Sequence, residues 1–221
     1  MISTMAPIIE LKGPVLASSG SLQLTINRGD VIDIVSDAPA DVRRVLRVLA
    51  TLERPQEIEY RFNGRLLDLQ NYRRCLDVKR RIGYVAADAA MISNRTIREN
   101  LLLTRYYLEN DLSIDIDAAV MSLCRSAGLS GKLDQRPAVL SEAELRKAVA
   151  IREMAKAPAV MLLERPEDYM LDTQDNDIFN HLEEMVRSGT AVVYFSSNNK
   201  MNALANRQLK LGAGAVRTGS A

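Results

Sequence analysis

Residues 28–55 read RGDVIDIVSDAPADVRRVLRVLATLERP, and the fold turns on how this stretch is divided. Val31 to Val35 is a short apolar run opened by Gly29-Asp30, as expected of a buried strand. SDAPAD, residues 36–41, is a loop of turn-forming residues. A helix follows. Val42, Val45, Leu46 and Leu49 recur at i, i+3, i+4 and i+7 on one face, with Arg43, Arg44 and Arg47 off it. A strand feeding a helix through a tight loop aims backbone N–H groups and the positive end of the helix dipole at one point. That point is an anion site if the loop admits a phosphate.

The phosphate-cradling form of such a loop is G-x-x-x-x-G-K-[ST]. Its eight positions fall on residues 36–43, and each defining one differs. Ser36, Asp41, Val42 and Arg43 stand where Gly, Gly, Lys and Ser/Thr belong. Asp41 and Val42 are free to take helical angles, so the expectation is a helix extended by a turn. It would fill the phosphate space and turn Val42 toward the core.

The remaining composition excludes several classes. With 221 residues, 47% hydrophobic and 26% charged, the chain supports one sizeable globular core. Lys+Arg number 29 against 28 Asp+Glu, so net charge gives no sign of nucleic-acid binding. No apolar run approaches the roughly 20 residues of a spanning helix, so no direct membrane insertion is expected. MISTMAPIIELKG at the start lacks a signal-peptide core, so a cytoplasmic location is expected. Cys75, Cys124 and His181 are too few and too scattered for a Cys₂His₂ zinc site, and no metal ligand set is assigned. Both thiols read as small core hydrophobes and His181 as a helix residue.

Taken in order, residues 8–11 and 22–26 read as a hairpin, and 57–62 as a strand ending at the turn pair Asn63-Gly64. Residues 71–81 read as a basic surface helix and 81–86 as the next strand. From 89 to 156 the period becomes helical. Thr96 caps one helix, with Glu99 read as one residue off capping-box spacing; 117–127 is a second, stopped by Gly128. Ser141 and Glu144 form an S-x-x-E box that opens a third, read as running to Pro158. Residues 159–163 and 191–195 are buried strands separated by a helix through Ile178, Leu182, Met185 and Val186. A short helix at 202–206 and a hairpin at 208–217, turned at 212–214, close the chain. The pattern is α/β: a mostly parallel sheet with an antiparallel β subdomain and an inserted helical subdomain.

Four ordered segments resemble the nucleotide-binding subunit of ABC transporters, a P-loop NTPase-like cassette. They are the loop at 36–43, RRIGYVAADAAMISNRTIRENLLL (80–103), LSEAELRKAVAIREMAKAPAVMLLERP (140–166) and GTAVVYFSSN (189–198). The resemblance implies one cassette over 1–221, with 1–88 and 157–221 as α/β core plus β subdomain and 89–156 as helical subdomain. It also places the family's functional positions. The phosphate-neutralising lysine falls on Val42 and the magnesium-holding hydroxyl on Arg43. The Q-loop glutamine falls on Ala87, the Walker B aspartate on Glu164, the general base on Arg165 and the switch histidine on Ser197. The LSGGQ signature has become Leu140-Ser141-Glu142-Ala143-Glu144. Leu171-Asp172 stands near the D-loop pair, and no aromatic residue precedes Tyr60 to stack on adenine.

The family binds ATP with magnesium. Here the resemblance implies a cassette without that chemistry: no catalytic residue, no cofactor expected, and Ser36, Asp41, Val42, Arg43, Ala87, Glu164, Arg165, Ser197 and Ser141 to Glu144 as vestigial positions. Both faces that sandwich a nucleotide in a cassette dimer are altered. The implied function is a pseudo-ATPase acting as a structural or regulatory subunit of a membrane transport complex, peripheral at the inner face of the cell membrane. Its implied partners are a permease docked at a groove on the helical subdomain and a second cassette, as homodimer or heterodimer. Three readings compete: an active ATPase subunit with unconventional residues, a nucleotide or anion sensor that binds without hydrolysing, and a soluble interaction module away from membranes.

Overall fold

The computed structural model describes residues 6–16, 21–170, 177–211 and 217–220. Two sheets carry the fold. The first is antiparallel, in the order β2-β1-β4-β5: β1 (Ile9–Gly13), β2 (Leu22–Ile26), β4 (Glu59–Phe62) and β5 (Arg65–Leu66). β1 pairs with β2 from Ile9↔Ile26 to Gly13↔Leu22 and with β4 from Ile9↔Phe62 to Lys12↔Glu59. Alternate residues Ile9, Leu11, Leu22, Leu24 and Ile26 are buried, the signature of a sheet with one wet face. Asn63 and Gly64 both take positive φ, 49° and 75°, as a two-residue hairpin of primed type requires.

The second sheet runs β10-β9-β3-β8-β7-β6: β3 (Val31–Val35), β6 (Ile82–Val85), β7 (Val160–Glu164), β8 (Ala191–Phe195), β9 (Arg207–Lys210) and β10 (Arg217–Ser220). All its pairings are parallel except the final β9–β10 hairpin. The turn expected at 212–214 lies outside the described residues, as does Leu171-Asp172. β7 is buried at every position, in line with its unbroken apolar run.

Helices cover both faces. α1 (Pro39–Leu49) buries Val42, Val45, Leu46, Val48 and Leu49. α2 (Tyr72–Arg80) is capped by Asn71, which accepts from the Arg74 N–H; it is amphipathic rather than merely superficial, since Cys75 and Val78 are buried. α3 (Ile97–Glu109) begins with a complete reciprocal capping box between Thr96 and Glu99. This corrects the reading of Glu99 as off-register: with Thr96 as N-cap, Glu99 is N3, the position the box needs. α4 (Ala118–Ser126) is capped by Asp117, and Gly128 follows it at φ 72°. α5 (Glu142–Met154) has the Ser141–Glu144 box but stops four residues short of Pro158, with Ala155 as C-cap and Ala157 in a left-handed conformation.

α6 (Glu167–Met170) has no counterpart in the sequence reading, being a single turn too short for a period to show. α7 (Asp177–Arg187) ends before Gly189, whose φ is 99°. The last helix, α8 (Asn199–Asn202), begins three residues before the expected 202–206. Asn198 caps it, and Asn206 is drawn into the sheet, accepting from the Val31 N–H at 2.9 Å.

The core falls into two clusters on opposite sides of the parallel sheet. One joins the antiparallel sheet to α1 and α2 through Ile32, Ile34, Leu162 and Val193. The other joins α3, α4, α5 and α7 to the opposite face through Val31, Met161, Leu163 and Val192. α5 comes close to β6 because Gly83 has no side chain. A Cβ there would lie 2.3 Å from Met161 Sδ and 3.3 Å from Glu153 Cβ. Among the described residues no helix is long and apolar enough to cross a membrane.

Candidate functional site

Parallel strands present their carboxyl ends on one edge of a sheet, and sites form there. The positions singled out in the sequence gather at that edge. Val42, Arg43, Ala87, Glu164 and Arg165 line a single cleft of about 380 Å³, with Pro39, Ala40 and Phe195 completing its walls. Arg165 also borders a second cleft of about 600 Å³, lined by Glu142, Ala143, Arg146, Glu167 and Asp168.

The loop is shorter than expected. α1 begins at Pro39, leaving only Ser36 to Ala38 between strand and helix. Proline suits the first helical position, where its missing N–H costs nothing. Five of the eight loop positions are therefore helical. Val42 is 1% exposed and belongs to the core. The helix has consumed the loop, while an opening remains beside its first turn. The Ser36 hydroxyl accepts from the Ala38 N–H at 3.1 Å, and the N-cap, Ala38, offers no side chain. Asp41 sits half-buried in the first turn, where its charge complements the helix dipole.

Glu164 is the centre of the polar network. It is 5% exposed. Its carboxylate accepts from the Tyr84 hydroxyl and, at 3.0 Å, from the Ala87 N–H. The Arg43 guanidinium lies 3.3 Å from Glu164 Oε2 and 3.5 Å from Asp88 Oδ2. A buried carboxylate needs a cation and donors, and this one has both from its own chain. Burial, and then its bond to Glu164, push the Tyr84 phenol far above its ordinary range. Tyr84 was not singled out in the sequence, though a signal was there. Tyr84 pairs with Leu162 across β6–β7, so Glu164, two residues on, shares its sheet face.

Arg165 adopts a left-handed conformation, φ 49°, and its N–H bonds to the Phe195 carbonyl at 3.0 Å. Its guanidinium pairs with Asp168 at 3.1 Å. Asp168 also receives Arg146 at 2.8 Å, and Arg146 reaches Glu142 at 2.6 Å. A chain of alternating charges thus runs from the position after β7 to the start of α5. Ser197 lies at the end of β8, within 3.4 Å of Glu167 through its N–H and hydroxyl, and Ser196 bonds the same carboxylate at 2.7 Å. At α5, Ser141 N–H donates to Glu144 at 3.0 Å and Glu144 N–H donates to Ser141 at 3.3 Å. Lys132 lies 2.5 Å from Glu144, and that contact, with the Ser141 N–H, holds the Glu144 carboxyl below its ordinary range. Arg146, Glu167 and Asp168 were also missed; each acts through a tertiary pairing that no local pattern encodes.

On the outer side of α3, Leu103, Tyr106, Tyr107 and Leu112 line an apolar groove of about 470 Å³ with Arg95 and Glu99 at one end. Tyr107 is 71% and Leu112 81% exposed. Cys75 and Cys124 are buried and unbridged, and among the described residues no group of three His, Cys, Asp or Glu is placed to hold a metal.

The architecture is that of an ABC cassette. An ATP-binding subunit of an ABC transporter superposes with a TM-score of 0.78 at 15% identity, covering 96% of this chain and 90% of that one. A dimeric bacterial ABC transporter cassette gives 0.74 at 16%, covering 96% and 98%. No protein-family model matches the chain. In sequence, the methionine import ATP-binding protein MetN 1 of Burkholderia orbicola is 30% identical over 142 residues, 64% of this chain and 41% of that protein. The lipoprotein-releasing system ATP-binding protein LolD of Myxococcus xanthus is 26% identical over 197 residues, 88% of each chain. The chain is a homologue of the ATP-binding subunits of ABC transporters and has their cassette fold. It spans about half of the methionine-import relatives' length, for example 41% and 54% of two of them.

Proposed function

We propose that this cassette neither holds nor hydrolyses ATP–Mg²⁺ and serves as a structural or regulatory subunit of a membrane transport complex. The observation that carries the reading is the Arg43–Glu164 pair. Arg43 stands where the family keeps its magnesium-holding hydroxyl, and its guanidinium supplies Glu164 with the positive charge a metal would bring. Tyr84 and the Ala87 N–H take up the same carboxylate, so it has little left to offer a metal. Phosphoryl transfer in P-loop proteins is mostly positioning and charge neutralisation. Val42 is apolar and buried, Ala87 cannot ligate, and Arg165 cannot take a proton at neutral pH. These residues do not fit ATP–Mg²⁺. The expected absence of a cofactor rests on that misfit.

Docking survives the loss of hydrolysis. The exposed apolar groove on α3 fits a helix of a membrane permease, and a cassette held there would sit at the inner face of the membrane. Pairing with a second cassette, identical or different, is part of the same reading, as is the division into an α/β core and a helical subdomain at 89–156. A homodimer would repeat the altered loop and the altered signature in both sites.

The open cleft beside α1, with Arg43 and Arg165 at its edge, favours one alternative: an ATP-binding subunit with unconventional cations. Calorimetry of the isolated chain with ATP–Mg²⁺ up to millimolar concentration separates the two. The expected outcome is no heat and no thermal shift. Micromolar binding would sink the pseudo-ATPase reading and make Arg43 and Arg165 the next residues to change. Capture of a permease from solubilised membranes, abolished by Tyr107→Glu, tests the docking.

A further inference from the structure

α2 carries Arg74 and Val78, and its C-cap is Arg81, at i, i+4 and i+7 along one face. That face stands opposite the β4–β5 hairpin, and the two enclose a cleft of about 740 Å³. Arg65 lines it from the hairpin, Arg74 and Arg81 from the helix. Among the described residues, none of the three has a carboxylate within the 4.0 Å that defines an ion pair. The one acid in the cleft, Asp77, faces Arg80 at 3.6 Å. Three guanidiniums against one carboxylate leave the lining cationic, in a chain whose formal charge is only +1. The floor is apolar: Val78 is buried, Phe62 half-buried, and Leu66 at the rim is 63% exposed.

Like charges brought together around an apolar concavity repel, and their common solution is an anion. The guanidinium fork matches carboxylates and phosphates alike. A free phosphate would leave the apolar floor unused, and a bilayer surface meets protrusions better than it enters a concavity. We infer that the α2/β4–β5 cleft binds an acidic, partly apolar segment of a partner protein, with carboxylates on Arg65, Arg74 and Arg81 and apolar side chains on Phe62, Leu66 and Val78. β5, which contributes Arg65 and Leu66 to the cleft, is the outer strand of its sheet. The inference is independent of the nucleotide reading, because the cleft lies on a different part of the surface from the Glu164 network.

The test is fluorescence anisotropy of the whole chain with a labelled peptide of glutamate, leucine and serine. A second peptide with serine for every leucine probes the floor, while inorganic phosphate and phosphatidylserine-containing vesicles serve as competitors. The expected result is binding that weakens with salt, loses about fivefold or more in R74E and in R81E, and is retained in R74K. The leucine-free peptide and L66S should each weaken it too. Arg74 and Arg81 are exposed, so unchanged thermal melts are expected for their variants. No peptide binding at millimolar concentration, equal binding by R74E, or displacement by vesicles or phosphate alone would each overturn the proposal.

Discussion

Two helix starts face the same problem and solve it differently. In the resemblance, the N-termini of α1 and α5 are the two halves of a nucleotide sandwich. At α5 two backbone donors are taken by side chains: Ser141 and Glu144 satisfy each other's N–H, and Lys132 ties Glu144 to the preceding turn. At α1 no side chain caps the helix, because Ala38 has none to give. The helix instead begins at Pro39 and is anchored by burying Val42. One end is held by hydrogen bonds and the other by packing. Neither leaves its N–H groups as a glycine loop would, yet they should respond to mutation in different ways.

The largest expected effect is at Val42. Val42→Asp places a carboxylate in a site 1% exposed with no cation built for it, and should cost about 3–5 kcal/mol, measured by urea unfolding. A loss below about 1 kcal/mol would mean packing does not hold that end, and the contrast would collapse. Next comes the Glu164 network, where Arg43→Ala leaves a buried carboxylate short of its cation. Because Arg43 is 43% exposed, the cost is expected nearer 1–2 kcal/mol than the full penalty of a buried pair.

The caps come third, and they sharpen the contrast by sign. Ser141→Ala should destabilise by about 1 kcal/mol. Ala38→Ser should stabilise by about 0.5–1 kcal/mol, since residue 38 already has the extended geometry of an N-cap. Paired thermal melts check both. If both substitutions move stability in the same direction, the two ends are not differently built. The smallest effect is in acid. Lys132 and the Ser141 N–H lower the Glu144 carboxyl in the folded chain. A depressed folded value contributes stability that is complete above the unfolded value, 4.5, and is lost as pH falls below it. Lys132→Ala should blunt that acid loss, read from melts taken on either side of pH 4.5.

Much of this was legible beforehand. β3 and β8 fall on the residues their apolar runs mark, and the Asn63-Gly64 turn falls where its dipeptide puts it. Local chemistry suffices there, because a strand's burial and a turn's φ are written in a few adjacent residues. The misses are of another kind. α5 ends at Met154 although helix-forming residues continue to Ala157, which instead takes a left-handed conformation just before Pro158. α8 starts at Asn199, where Asn198 caps it, and Asn206 at the end of the expected helix is instead tied to Gly29 and Val31 of the sheet. The partners of Glu164 come from β6 and α1, about eighty and one hundred and twenty residues away along the chain.

The sequence by itself determined the order of strands and helices, the altered identities at the loop, the signature and the strand ends, and the caps on α3 and α5. Each depends on period, propensity or a side chain bonding its near neighbours, and such interactions are decided within a turn or two of chain. Only the tertiary structure decided that Arg43 would come to rest against Glu164 and that Arg65, Arg74 and Arg81 would line one cleft. Those outcomes depend on which surfaces the parallel sheet and the antiparallel hairpin bring within a few ångströms, and on where a buried charge must find its partner.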